Sequence, residues 1–301
     1  MRYRITHRTE YVYAEPVTLC HNEAHLTPRT TPDQRVLWHD VEVDPPPAVF
    51  SRRDDFFGNS VVYFAVQATH PKLVITAKSD VERTPYDQTR HARSRASWED
   101  AFACLCDDLT PGAIDARQYV LESPMVKPTP EIAAYAVSSF PAGRPLGEAV
   151  ADLTARIHRD FAYEPGATTI GTPLAEVFEQ RRGVCQDFAH LAIACVRSLG
   201  LAARYVSGYI QTEPPPGKPR LVGADASHAW FAVYAPDAGW LDFDPTNPTV
   251  GFARHVTTAW GRDYADVTPV KGIMFGGGLE HTATISVDVE PIDDAGAAPA
   301  D

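Results

Sequence analysis

The chain has 301 residues and a formal net charge of −12, with 44% hydrophobic and 22% charged residues. This composition is typical of a globular protein with room for two domains, and it excludes a largely disordered chain. Residues 1–96 carry a net charge of +1 and residues 97–301 a net charge of −13. The acidic second half would repel phosphate backbones, which argues against nucleic acid as a partner.

The first residues carry charges throughout and lack the apolar segment of a secretory signal, and no run of about 18 apolar residues occurs. We therefore expect no membrane partner. The cysteines are odd in number and irregularly spaced, at Cys20, Cys104, Cys106, Cys185 and Cys195. Such a set does not predict a disulfide framework, so we expect a reducing, cytoplasmic location.

Residues 1–88 predict a β-rich domain of their own. Apolar and polar residues alternate over residues 2–13 and 36–45, and the intervening prolines and Gly58-Asn59 indicate turns. Short strands joined by such turns are typical of a β-sandwich. His21 and His25 are four residues apart, but strand-like sequence flanks them and the order His-Glu-x-x-His is missing. We expect exposed histidines of a loop or strand there, and no metal site.

Residues 89–154 predict a helical connecting region. Within residues 96–109, helical spacing puts Trp98, Phe102, Leu105 and Leu109 on one face. The pattern of residues 146–165 predicts another helix, which would enter the second domain and pack against the helix described next.

The segment RRGVCQDFAHLAIACVRSLG, residues 181–200, organises the second half of the chain. Its apolar side chains recur at helical spacing, at Phe188, Leu191, Ala192, Cys195 and Leu199. The spacing predicts a helix that begins at or near Cys185 and stops before Gly200. A cysteine at a helix start lies among free N–H groups at the positive end of the dipole, where a thiolate is favoured. A lone cysteine is more often inert core, so a catalytic role depends on further residues.

Two later segments supply an imidazole and a carboxylate. Residues 225–236 and 239–247 read as strands, and the Pro-Asp-Ala-Gly sequence between them predicts a hairpin turn. Folding about that turn brings His228 opposite residue 246 or so, with Asp244 as its diagonal neighbour on the same face. Asp242 shares this parity, so strand alternation alone leaves it open as the partner of His228.

In this order, GVCQDFAH, SHAW and WLDFDPTN resemble the catalytic core of the bacterial transglutaminase-like superfamily, over about residues 155–270. The stretches YRITHRTEYVYAEPV and DDFFGNSV resemble the β-rich domain that precedes this core in such proteins. The resemblance implies a papain-like cysteine fold without a cofactor or metal. It also implies Cys185 as nucleophile, His228 as base and Asp244 as the group that orients the base.

The predicted fold class is α+β. A β-sandwich-like domain over residues 1–88 and the helical region over residues 89–154 precede a papain- or transglutaminase-like core over residues 155–292, in which the cysteine helix packs on an antiparallel sheet. Residues 281–291 are expected to form a strand of that core, and residues 293–301 a frayed tail. A proline-rich connection over residues 213–219 is expected to border the substrate cleft.

Side chains around Cys185 have expected roles of their own. Asp187, in the first turn, is expected to cap the helix, and His190, about five residues on from Cys185, is expected to make a structural hydrogen bond. The backbone N–H of Cys185 would stabilise an oxyanion, and Gln186 and Tyr163 are candidates for the second donor.

The predicted function is hydrolysis of an amide or isopeptide bond in a peptide or protein, through a thioester acyl-enzyme. Transfer of the acyl group to an amine is an alternative, because the same three residues serve both reactions. A non-catalytic binding module and a metal enzyme that uses Cys185, His228 and Asp244 as ligands are further alternatives. The order of the motifs and the helix-start position of Cys185 favour the nucleophile over the ligand.

Overall fold

The computed structural model describes residues 1–84, 91, 94–212, 226–248, 252–278 and 280–292. Its strands are β1 (Arg2–Ala24), β2 (Gln34–Asp44), β3 (Val49–Asp54), β4 (Ser60–Val66), β5 (His70–Arg83), β6 (Ala162–Tyr163), β7 (Arg182–Gly183), β8 (Ala203–Ile210), β9 (Ala226–Ala235), β10 (Gly239–Phe243), β11 (His255–Gly261), β12 (Val270–Gly276) and β13 (His281–Ile292). Its helices are α1 (Trp98–Asp107), α2 (Pro111–Arg117), α3 (Pro130–Val137), α4 (Leu146–Asp160), α5 (Leu174–Gln180) and α6 (Cys185–Arg197).

The N-terminal part is a seven-stranded sheet built around β1. The first half of β1 pairs with β5 and β13, and its second half pairs with β4 and β12. The pairing with β5 shifts register between Val12 and Val17, around Pro16, which has no N–H for a ladder. Apolar side chains from both halves meet in one core, so the sandwich-like prediction is confirmed. The prediction of short strands was wrong for β1, which spans 23 residues.

The helical region and the second half of the chain share one core. A four-stranded sheet with the order β10-β9-β8-β11 packs against α6, and α3, α4 and α5 cover the other sides of that helix. The predicted packing of residues 146–160 against the cysteine helix is therefore observed. Because helices and sheet surround it, α6 is buried from Asp187 to Arg197 on all faces and not along one stripe.

The C-terminal strands return to the N-terminal sheet. Residues 281–292 form a strand as predicted, but β12 and β13 both pair with β1 and not with the core sheet. The predicted boundary that kept residues 270–292 with the catalytic core therefore does not match the strand pairing. Alternation along a strand predicts which side chains are buried but does not predict the partner strand.

A small apolar cluster joins the two sheets. It contains Tyr3, Ile5, Val81, Tyr209, Val256, Val287 and Val289. Beside it, the Tyr209 hydroxyl lies 3.0 Å from Nδ1 of His7, and burial lowers the pKa of His7 to about 4. The two halves are thus linked by buried contacts as well as by the returning strands.

Two predicted features, the proline-rich connection over residues 213–219 and the tail over residues 293–301, lie outside the described residues. Among the helices that the structure describes, none combines the length and the apolar character needed to cross a bilayer.

Candidate active site

Cys185 is the first residue of α6 and is partly exposed. The Asp187 carboxylate reaches back to accept hydrogen bonds from the Val184 N–H at 2.8 Å and the Thr168 hydroxyl at 2.6 Å. A side chain at Gly183 would collide with this carboxylate, since a Cβ there would lie 2.7 Å from its Oδ2. The predicted capping by Asp187 is therefore observed, and it fixes the helix start at the cysteine.

The β9–β10 hairpin brings His228 and Asp244 together. Its pairing ends with Phe243 opposite Phe231, and the same register continued puts residue 246 opposite His228, as the sequence predicted. Nε2 of His228 donates to Oδ2 of Asp244 at 2.7 Å, and both side chains are almost fully buried. This bond leaves Nδ1 of the imidazole for the Cys185 thiol.

Charge and burial compete over the pKa of His228. Burial alone would lower it, but hydrogen bonds and charge attraction to Asp244 and Cys185 raise the pKa to about 10. Burial would likewise raise the pKa of Asp244, but the hydrogen bonds from His228 and His255 hold it well below its usual range. At neutral pH the pair is therefore an imidazolium held by a carboxylate.

The structure adds a second histidine that the sequence reasoning missed. Nε2 of His255 donates to the same oxygen of Asp244 at 2.9 Å, while the other oxygen accepts the backbone N–H groups of Thr246 and Asn247. His255 lies on β11, beyond β8, so only the strand order places it here. No motif in the sequence carries this information.

The Asn247 side chain also donates to Asp244 at 3.2 Å, and its position in the DPTN sequence is the signal that could have indicated it.

Asp242, the other candidate for the orienting role, points elsewhere. Its Oδ1 accepts the indole N–H of Trp230 at 3.0 Å. The indole in turn lies over Gly208, where an added Cβ would approach it to 2.7 Å and the Val256 carbonyl to 2.0 Å. The structure therefore brings Asp244, and not Asp242, to His228.

Other predicted neighbours of Cys185 take different positions. His190 is buried, its Nε2 accepts the Tyr264 N–H at 3.1 Å, and burial lowers its pKa to about 4. This is the structural hydrogen bond that was predicted.

Two tyrosines lie near the Cys185 sulfur. Burial and then the charge of Cys185 raise the pKa of Tyr163 and of the fully buried Tyr205. Tyr205 was not among the predicted site residues, and no contact supports Gln186 as an oxyanion donor within the described part of the chain.

Two sets of histidines bear on metal binding. His21 and His25 do not share a site, because Nδ1 of His21 contacts the Tyr63 hydroxyl at 2.6 Å and Nδ1 of His25 contacts the Thr268 carbonyl at 3.0 Å. His25 is buried, which corrects the expectation of an exposed residue.

Ligand atoms of His228, Asp244 and His255 lie within 4.8 Å of one another and could hold a metal. A metal there would have to displace both imidazole N–H groups that donate to Oδ2 of Asp244.

Family comparisons match both halves of the chain. Residues 3–82 match the bacterial transglutaminase-like N-terminal region, and residues 135–245 match the core of the transglutaminase-like superfamily. A protein-glutamine gamma-glutamyltransferase from Pseudomonas aeruginosa is 32% identical over 123 residues, which cover 35% of this chain and 18% of that protein.

Two mycobacterial proteins and one solved structure are similar to this chain over nearly its whole length. An uncharacterised protein of Mycobacterium tuberculosis is 43% identical over 298 residues, covering 97% of this chain and 93% of the relative. One from Mycobacterium leprae is 33% identical, covering 92% and 94%. A crystal structure of a provisionally assigned cysteine protease from Cytophaga hutchinsonii superposes with a TM-score of 0.75 at 22% identity, covering 97% of this chain and 91% of that one. With both characteristic regions in order and a matching fold, the chain belongs to the transglutaminase-like superfamily.

Proposed function

We propose that the protein is a cysteine-dependent amide hydrolase that acts through a thioester on Cys185. The observation that carries this proposal is the buried His228–Asp244 hydrogen bond of 2.7 Å, in which contacts with Asp244 and Cys185 raise the pKa of the imidazole to about 10. An imidazolium beside a cysteine at a helix start is the arrangement that activates sulfur nucleophiles.

The first half of the reaction follows from this charge arrangement. The Cys185 sulfur attacks the carbonyl carbon, and the backbone N–H of Cys185 stabilises the oxyanion, because intrahelical bonding leaves it free. As the carbon–nitrogen bond breaks, His228 gives its proton to the departing amine. The products of this step are the free amine and a thioester on Cys185.

The second half needs His228 as a base. Acylation removes the charge of the sulfur, which is one of the causes that raise the pKa of His228. Because that charge is gone and His228 has already given its proton to the amine, the imidazole of the acyl-enzyme stays neutral and can take a proton from water. The resulting hydroxide attacks the thioester, the acid leaves and the proton returns to the Cys185–His228 pair.

Transfer to an amine is the second candidate, because the chain is locally similar to the Pseudomonas gamma-glutamyltransferase. Both reactions form the same thioester and differ only in whether water or an amine attacks it. The proposed substrate in either case is a peptide or protein with an amide or isopeptide bond. A reducing compartment stays part of the proposal, because it would keep Cys185 as a thiol.

The test combines labelling with product analysis. Iodoacetamide at neutral pH should modify Cys185 faster than Cys106, which is exposed and serves as the internal control. A library of glutamine and isopeptide substrates, with and without a primary amine, is then followed by mass spectrometry. Hydrolysis products that disappear in Cys185→Ala support the proposal. Amine adducts would replace hydrolase with transamidase, and turnover by Cys185→Ala would overturn both.

A further inference from the structure

A cavity of about 390 Å³ lies on the face of the core sheet that is turned away from α6. Its lining includes Arg204, Val206, Trp230 and Asp242, which alternate along the strands with the residues that pack on α6. Side chains from the N-terminal part, such as Arg83, close it from the other side. Its volume is in the range of small-molecule sites. Cys185 does not line it.

Arg204 is the unusual group in this cavity. Its side chain carries a charge but is only 8% exposed, and its Nε is buried without a hydrogen-bond partner. The guanidinium carbon lies 4.2 Å from the centre of the Trp240 ring and 3.7 Å from that of Trp260. Among the residues that the structure describes, none accepts a hydrogen bond from this guanidinium or forms an ion pair with it. A buried charge without a partner is costly, so proteins normally pair it.

The stacking determines what could pair with Arg204. Both indoles lie within stacking distance of the guanidinium, and the N–H donors of a guanidinium lie in its own plane. In-plane donors of a guanidinium match the two oxygens of a carboxylate. The acidic neighbour with the largest effect on its charge is Asp242, and one oxygen of that side chain is already held by Trp230.

The other side chains that line the cavity indicate the shape and the charge of the rest of the ligand. Trp230, Phe252 and the two indoles around Arg204 offer aromatic surface to a planar or apolar body. Three carboxylates, Asp33, Asp115 and Asp242, line the cavity against two cations, Arg83 and Arg204, so one bound carboxylate already adds to a negative excess and a second is disfavoured. A single carboxylate on an apolar body fits both conditions.

We propose that this cavity binds a small monocarboxylic acid with an apolar body, and that Arg204 holds its carboxylate. The site is distinct from the catalytic residues but adjacent to them. His255 lines the cavity, has its Nδ1 buried without a partner, and donates through Nε2 to Asp244. The proposal concerns binding alone and does not depend on the proposed hydrolase activity.

Calorimetric titration of the full chain tests the proposal with a matched set of probes. The acids are benzoate, phenylacetate and 3-phenylpropionate, and the controls are their neutral amides, which have nearly the same shape. At least one acid should bind about tenfold more tightly than its amide, because only the acid can pair with the guanidinium. Replacement of Arg204 by Met should weaken binding of that acid about tenfold and leave its amide unchanged.

Arg35→Met is the matched control, because Arg35 is exposed, pairs with Glu82 and does not line the cavity. If Arg204→Met fails to fold, Arg204→Lys keeps the charge and should still weaken binding, because an ammonium cannot hold both carboxylate oxygens in one plane. The proposal is overturned if no acid binds at about 10 mM. Equal binding of acids and amides, or binding that neither Arg204 variant changes, would overturn it as well.

Discussion

Asp244 makes hydrogen bonds through both carboxylate oxygens, and this explains how one buried acid can stay charged. Oδ1 is held by two backbone N–H groups and Oδ2 by His228, His255 and the Asn247 amide. Each donor stabilises the anion and restricts its rotation. The carboxylate is therefore presented to His228 in one orientation, which is the requirement for an orienting group.

His255 is predicted to act as a positioning residue through Asp244. Replacing it with Phe removes one donor, so the pKa of Asp244 should rise and the acid side of the pH profile for iodoacetamide labelling of Cys185 should move to higher pH. We expect slower labelling only in the most acidic part of the profile and little change near pH 8. His255→Gln retains an N–H donor and should restore the wild-type profile. A uniform loss at all pH values in both variants would indicate a merely structural role.

The raised pKa of His228 also makes stability depend on pH. The pKa is about 10 in the folded protein against an ordinary value of 6.5. The folded state therefore binds the extra proton, and this stabilisation is complete below pH 6.5 and lost as the pH rises through 10. In urea unfolding between pH 7 and 10, the advantage of the wild type over His228→Gln should shrink by at most about 1.4 kcal/mol per pH unit. A difference that stays constant with pH would contradict the ion pair.

How far the sequence predicted the site depends on how local each signal is. Cys185 was predicted from helix periodicity, and the His228–Asp244 pair followed from a hairpin whose turn fixes the register. His255 reaches Asp244 only because β11 lies beside β8, an order that alternation does not encode. Tyr205 was missed for the same reason, since its closeness to Cys185 depends on how α6 lies on the sheet.

At the scale of elements, the start of α6 shows why some helix details were predictable. The cap is local, because Asp187 is three residues from Val184, and Gly183 leaves room for its carboxylate. The buried face of α1, in contrast, depends on tertiary contacts and not on the local sequence alone. Ala101 and Leu105 are buried as expected of a helix face, but Phe102 is 45% exposed and Leu109 lies beyond the helix end. The surface against which α1 packs, and not the spacing of its apolar residues, determines which of its side chains are buried.

The cap at α6 is predicted to matter for both stability and reactivity. Asp187→Ala removes the acceptor for the Val184 N–H and the Thr168 hydroxyl and should lower the free energy of unfolding by about 1–2 kcal/mol. Asp187→Asn keeps an acceptor at the same place and should lose clearly less. Urea unfolding measures the stability, and iodoacetamide labelling of Cys185 should slow in the Ala variant as the helix start frays. Equal stability of the two variants would show that the cap contributes little.

At the scale of the whole molecule, the N-terminal sheet is built from both ends of the described chain, across the domain boundary predicted from the sequence. β1 lies at the centre of the N-terminal sheet, and its partners β12 and β13 come from the last part of the described chain. The family matches cover residues 3–82 and 135–245, so these closing strands lie beyond both. The N-terminal sheet is therefore complete only after the chain has passed through the transglutaminase-like core, which predicts that the two parts unfold together.

Removal of the closing strands should therefore destabilise the N-terminal sheet and not only shorten the chain. A variant that ends at residue 269 exposes the edges of β1 and loses Val287 and Val289, two fully buried side chains of the cluster that joins the sheets. Their burial alone contributes about 3 kcal/mol or more. We expect lower strand content in far-UV circular dichroism, a lower urea midpoint and aggregation through the exposed edges. The matched control ends at residue 292, keeps both strands and should unfold like the wild type. Wild-type unfolding of the variant ending at 269 would instead mean that β1 holds its sheet together without them.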